Sequence, residues 1–140
     1  MVEIIDAKGL IIGRLGTHVA KKLLSNKELE IAIVNAEKAI VSGSRKMVLT
    51  QYKGKRELNH PRKGPYFPKM PDRILKRTIR GMLPYQQPKG RDALKRVKVY
   101  IGIPKELEGK KMKTVDSAKN RNLESYMELE EVSRILGANI

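Results

Sequence analysis

The sequence predicts an α/β protein with a parallel sheet. Three observations carry that reading. First, "VEIID" (residues 2–6) and "LEIAIVNA" (29–36) are short, strongly apolar runs of strand type. Second, the stretch between them, "RLGTHVAKKLL" (14–24), has helical spacing, with Leu15, Val19 and Leu23 on one face and Ala20 and Leu24 beside them. A strand, a helix and a strand in that order imply a parallel pair joined by a right-handed crossover. Third, 140 residues with 40% apolar content and only 4% aromatics suit one domain with an aliphatic core.

The remaining elements follow in chain order. "EKAIVSGS" contains a short third strand around Ala39–Val41, and Ser42 or Ser44 is placed to cap the next helix. That helix, 45–58, carries Met47, Val48, Leu49 and Tyr52 on its apolar side. A proline-rich segment occupies 59–71, where Pro61, Pro65, Pro68 and Pro71 rule out helix interior and central strand. Asp72 is read as the cap of a helix over 73–83 that Pro84 ends. On that helix Arg73, Lys76, Arg77 and Arg80 form one stripe, with Leu75, Thr78, Ile79 and Met82 opposite. Residues 91–96 read as a short helix and 97–103 as a final strand. From 105 the chain is polar and weakly patterned, until Leu129, Val132, Ile135 and Leu136 mark a short amphipathic helix with Gly137 as its C-cap. The expected organisation is a single domain over 1–104 and a C-terminal tail over 105–140.

Composition removes several classes of function. There is no cysteine, hence no disulfide, thiolate metal site or cysteine nucleophile. His18 and His60 are the only histidines, too few for a histidine-rich zinc site. No stretch resembles a signal peptide or is long enough to span a bilayer, so a soluble intracellular protein is expected.

Charge is the most informative quantity. The net charge of +15 is concentrated in residues 45–98, where seventeen Lys and Arg face only Glu57, Asp72 and Asp92. Residues 99–140 carry seven charges of each sign, and residues 1–44 six basic against five acidic. Such a focused field marks a polyanion partner, whereas a merely solvated face would mix the two signs. The candidate RNA-binding residues are Arg45, Lys53, Lys55, Arg56, His60, Arg62, Lys63, Tyr66, Lys69, Arg73, Lys76, Arg77, Arg80, Lys89, Arg91, Lys95 and Arg96. Lysine and arginine reach phosphates, and Tyr66, Phe67 and Tyr85, interleaved with them, offer stacking surfaces for unpaired bases. Phe67 is equally suited to ordinary packing on the helix over 73–83. Proline stiffening lowers the entropy lost when such a loop is ordered on a partner.

Other motifs are weaker. "GLIIGRLG" (9–16) sits between strand and helix, where a dinucleotide fingerprint would sit, and Glu37 lies where such folds place a ribose-binding acid. The spacing fails, however, because the first glycine position is Ile11, and no GK[ST] supplies a P-loop lysine. These glycines read instead as a tight turn and a close approach of helix to sheet. "IIGRLG" also imitates the GXXG loop of KH domains, but a strand rather than a helix precedes it. Asp6, Glu37, Asp72 and Asp92 pair with no histidine or second carboxylate at a telling spacing, so no catalytic constellation emerges.

"RTIRGMLPYQQPKGRDALKRVKVYIGIP" (77–104) resembles the large-subunit ribosomal protein L-thirteen family. "IIDAKGLIIGRLGTHVAKKLL" and "VNAEKAIVSGSR" resemble its opening segments in the same order, and "RKGPYFPKMPDRI" resembles its archaeal and eukaryotic branch. The resemblance covers about residues 3–104. It implies a three-layer α/β/α core with a four-stranded parallel sheet, basic loop extensions and a short tail. It further implies a cytoplasmic, structural constituent of the large ribosomal subunit that binds 23S-type rRNA and acts early in subunit assembly. The expected partners are large-subunit rRNA and neighbouring ribosomal proteins, with no cofactor, small-molecule substrate, membrane or homo-oligomer. Two alternatives stand beside it: a nucleotide-binding α/β enzyme using residues 9–16, and a non-ribosomal RNA-binding factor.

Overall fold

A computed structural model describes residues 2–57, 68–119 and 125–138, and of residues 56 and 57 only the backbone. The chain runs β1 (Val2–Asp6), α1 (Ile12–Ser25), β2 (Glu30–Val34), β3 (Ile40–Ser42), α2 (Arg45–Glu57), α3 (Pro71–Met82), α4 (Pro88–Lys95), β4 (Val97–Val99), β5 (Tyr126–Glu128) and α5 (Leu129–Ile135). Three 3-10 turns, Ala36–Lys38, Lys105–Leu107 and Asp116–Ala118, sit in the connections.

β1, β2 and β4 form a parallel sheet with β2 in the centre. Alternation divides its side chains between two faces. Ile5, Ile31, Ile33 and Val97 join the main core with Leu15, Val19 and Leu23 of α1 and Ile74, Leu75 and Ile79 of α3. Ile4, Ala32 and Val34 face the other way, where Tyr100, Leu107 and Met112 cover them. Thus both helices pack on one face. Among the described residues, the segment following β4 covers the second face in place of a helical layer.

The expected four-stranded parallel sheet is corrected to three strands. β3 leaves it and pairs antiparallel with β5, Val41 opposite Met127. Only a single parallel bridge, Ile11 to Ile40, links β3 to the region before α1. A three-residue strand has little preference of its own, and the partner that satisfies its backbone lies more than eighty residues away. β1 spans the expected residues, whereas β2 and β4 end earlier than expected. Asn35 turns left-handed (φ 57°) after β2 and donates its side-chain amide to Asp6 Oδ1 at 3.0 Å. Beyond β4, Gly102 (φ 67°) turns the chain across the end of β2.

Residues beyond 104 contribute to the same interior. Lys113 exchanges backbone hydrogen bonds with β1, through Asp6 N–H to Lys113 O at 2.9 Å and Lys113 N–H to Ile4 O at 2.8 Å. Val115, Ala118, Met127, Leu129, Val132 and Leu136 are buried in the main core. At the edge of β1, Glu3 bonds Lys22 Nζ at 2.6 Å and Lys113 Nζ at 3.3 Å. Burial alone would raise the Glu3 carboxyl, but the hydrogen bonds and charges of the two lysines outweigh it and hold it below its usual range.

Two helix starts are instructive. Ser44 caps α2, its Oγ accepting from Met47 N–H at 3.2 Å, as expected of one of the two candidate serines. Asp72 does not cap α3. Pro71 already occupies the first helical turn and Met70 is the cap residue, with no side-chain cap bond. Asp72 lies inside the first turn, where the helix dipole favours a negative charge.

Candidate nucleic-acid interface

The cationic site is built on α3. Its apolar side (Ile74, Leu75, Ile79) is buried, which turns the opposite side outward by helical geometry. Arg73, Lys76, Arg77 and Arg80 then line an open groove of about 330 Å³, with Pro68 and Leu94 as its apolar lining. Among the described residues no carboxylate lines it. The Arg80 guanidinium lies 5.3 Å from the ring centroid of exposed Tyr85, within range of a cation–π contact.

α4 sits beside this helix and exposes Lys89, Arg91 and Lys95. Its position depends on Gly90, which is buried against the Pro84 backbone. Gly90 N–H and Arg91 N–H both bond Gln87 O at 3.1 Å. Of α4, Leu94 reaches the groove, while Lys89, Arg91 and Lys95 are exposed and are not among its described lining residues. Pro68 and Leu94, missed in the sequence, carry no charge signal. Leu94 lies one residue after buried Ala93 on a helix too short to show a clear periodicity.

The other predicted residues are dispersed. Lys53 and Lys55 are exposed on α2, with Lys55 Nζ 5.0 Å from the Tyr52 ring centroid. Burial pushes the Tyr52 hydroxyl up. Arg45 forms an ion pair with Glu131 of α5. Lys69 is half-buried close to Gly137. The Arg56 side chain, His60, Arg62, Lys63 and Tyr66 lie outside the described residues, as does Phe67.

Arg96 points inward. Its guanidinium donates to three backbone carbonyls at the end of α1 and the turn after it: Leu23 O at 2.9 Å, Asn26 O at 2.6 Å and Leu29 O at 3.0 Å. Asp92 lies 3.8 Å away, too far for a hydrogen bond. The side chain is 14% exposed. A cation that satisfies the free carbonyls of a helix C-terminus also complements the helix dipole. Replacing Arg96 with Met is expected to lower stability by about 2–4 kcal/mol in urea unfolding, because those carbonyls lose a charged donor. The salt slope of RNA binding should stay unchanged. A slope lower by about one unit with unaltered stability would instead make Arg96 a phosphate contact.

The glycine turn at 9–16 is engaged inside the protein. Gly9 is left-handed (φ 72°) and supplies the tight turn. Gly9 N–H bonds Lys38 O, Leu10 N–H bonds Ala7 O, and Ile11 N–H bonds Ala118 O, at 2.8–3.1 Å. Those amides are therefore spent and do not cradle a phosphate. Glu37 accepts from Gly102 N–H at 2.9 Å, which occupies the carboxylate that a ribose would need. The close approach expected of Gly16 is made to a helix rather than to the sheet. An added Cβ would stand 3.0 Å from Met82 Sδ and 3.7 Å from Ile79, so the small residue seats α3 against α1.

These features describe a small α/β scaffold that displays a concentrated cationic face and holds no catalytic arrangement among the described residues. Comparison with known proteins agrees with that class. The profile of the Ribosomal protein L13 family matches residues 1–106. The chain is 57% identical over 139 residues to the "Large ribosomal subunit protein uL13" of Methanosarcina barkeri, covering 98% of this chain and 99% of the relative. It is 48% identical over 143 residues to the protein of that name from Methanocaldococcus jannaschii (98% of each). To that from Archaeoglobus fulgidus it is 46% identical over 137 residues (96% and 86%). The chain belongs to the Ribosomal protein L13 family. It is accordingly a structural protein rather than an enzyme.

Proposed function

We propose that this protein is a structural constituent of the large subunit of the cytoplasmic ribosome, that it binds 23S-type rRNA, and that it acts early in subunit assembly. The single observation that carries the rRNA reading is the groove of α3, which Arg73, Lys76, Arg77 and Arg80 line together. Four basic side chains on one helix face suit a phosphate backbone, and permanent guanidinium charge suits bidentate contacts to it. The proline-rich segment adds Arg62, Lys63 and Lys69 as further phosphate contacts. Residues 1–104 carry the rRNA-binding cations, the residues after them complete the core that holds those cations in place, and neighbouring large-subunit proteins are the further partners. No homodimer or small-molecule substrate is part of this function.

The test is sedimentation of large subunits from cells carrying a tagged chain, after a wash of about 1 M salt. Exposed ion pairs are screened beyond about 3 Å at that ionic strength, so only a protein built into the folded particle stays bound. Retention in the large-subunit peak is expected, together with presence in early precursor particles. Complete release by salt, with free protein binding unrelated RNAs equally well, would favour a non-ribosomal RNA-binding factor.

A further inference from the structure

Residues 1–44 are nearly neutral, yet the fold separates their charges. Glu3 is taken by Lys22 and Lys113, Asp6 by Asn35 and the Lys8 amide, and Glu37 by the Gly102 amide. α1 itself contains no acid. Its outer side is left with Arg14, Thr17, His18 and Lys21, which together with Ser117 line an open recess of about 320 Å³. Among the described residues no carboxylate lines it, and none forms an ion pair with Arg14 or Lys21. The nearest acid in sequence to Ser117, Asp116, holds Lys119 at 2.9 Å.

The geometry points to this recess as a second phosphate-binding face, which takes a segment of rRNA other than the one on α3. The inference rests on the rRNA-binding reading above. Two permanent cations, the Ser117 hydroxyl and an imidazole are donors suited to phosphate oxygens, while the Thr17 hydroxyl is engaged with Gly13 O at 3.0 Å. Arg14 and Lys21 lie about 10 Å apart along the helix axis and so engage different phosphates. His18 contributes an uncharged donor, since burial and the adjacent Lys22 lower its pKa.

The two faces point in different directions. α3 meets α1 through Met82 and Ile79, which lie against Gly16, and Thr17 donates to Met82 Sδ at 3.6 Å. The stripe of Arg73, Lys76, Arg77 and Arg80 lies roughly 120–180° around α3 from Met82. It therefore turns away from α1, and an RNA segment seated on it does not reach Arg14 or Lys21. A protein with two such faces joins two rRNA segments.

Hydroxyl-radical footprinting on a full-length large-subunit rRNA transcript tests this. The full-length protein should protect two separate tracts. The double variant R14Q/K21Q should lose one tract, keep the other, and lower the salt slope by about 1.4–1.8 for two lost contacts. R14K/K21R should restore both tracts, and circular dichroism should show all three proteins folded alike. An unchanged footprint and slope in R14Q/K21Q overturns the inference, as does an equal loss of both tracts in a folded variant. Absence of any protection by the unsubstituted protein overturns the rRNA-binding reading itself.

Discussion

Reversal of Arg73, Arg77 and Arg80 to Glu abolishes specific rRNA binding while the protein stays folded. The expected loss is ~10²-fold or more near physiological salt, because three contacts are removed and three repulsive charges face the phosphates in their place. The salt slope of whatever binding remains falls by about 2–3 units, since each phosphate contact contributes about 0.7–0.9. Folding survives because the substituted side chains lie on the outer stripe of α3, whereas its hold on the core comes from Ile74, Leu75 and Ile79. Filter binding across a salt series measures both quantities, and far-ultraviolet circular dichroism checks the fold. A folded triple variant with normal affinity and a shallow slope would remove α3 from the interface. Charge-neutral variants at the same positions separate the two contributions, because they lose the contacts without adding the repulsion.

The largest effect on stability is expected from Gly90→Ala. A Cβ on Gly90 would stand 1.9 Å from Pro84 O, 2.2 Å from Pro84 C and 2.8 Å from Tyr85 N. All three are backbone atoms, so relief requires moving the chain between α3 and α4 rather than one side chain. Overpacking of this kind costs about 3 kcal/mol or more, enough to lower the midpoint of thermal unfolding by roughly 10 °C. RNA affinity falls as well, because Lys89 and Arg91 flank the displaced residue. Gly54→Ala is the control. Gly54 lies inside α2 with nothing within 4 Å of the added carbon, and there alanine is expected to stabilise by about 0.5–1 kcal/mol. Equal stability of Gly90→Ala and the unsubstituted protein would show that the α3–α4 connection yields freely.

Both variants act through features of different legibility. The α3 stripe was readable because it depends on local periodicity: side chains three and four residues apart share a face whatever the helix packs against. The parallel pairing of β1 and β2 was readable for a similar reason, since the connection between them is one helix long. Gly90 was not. Its sequence context, "PKGRD", suggests a loop, and the need for glycine arises only because Pro84 folds back onto α4.

The same division runs through the rest of the molecule. β3 resembles a fourth parallel strand when read alone, but its backbone partner is β5. Arg45 and Arg96 look equivalent as members of a cationic segment. The fold gives one to Glu131 and the other to the carbonyls at the end of α1. Gly16 was recognisable as a residue of close approach, yet its neighbour is Met82 of α3 rather than the sheet. Arg14 and Lys21 do not stand out in the charge distribution because the segment around them is nearly neutral in sum. Their isolation follows from the capture of Glu3, Asp6 and Glu37 by partners elsewhere.

By itself, then, the sequence determined the α/β class, the faces of the helices, the concentration of positive charge between residues 45 and 98, and the family. These are properties of composition and of short-range periodicity, which the chain carries before it folds. The tertiary structure alone decided which strands pair, which cations remain available at the surface and where a glycine has no substitute. Each of those depends on groups distant in the chain meeting in space, where hydrogen bonds, ion pairs and excluded volume select one partner among many.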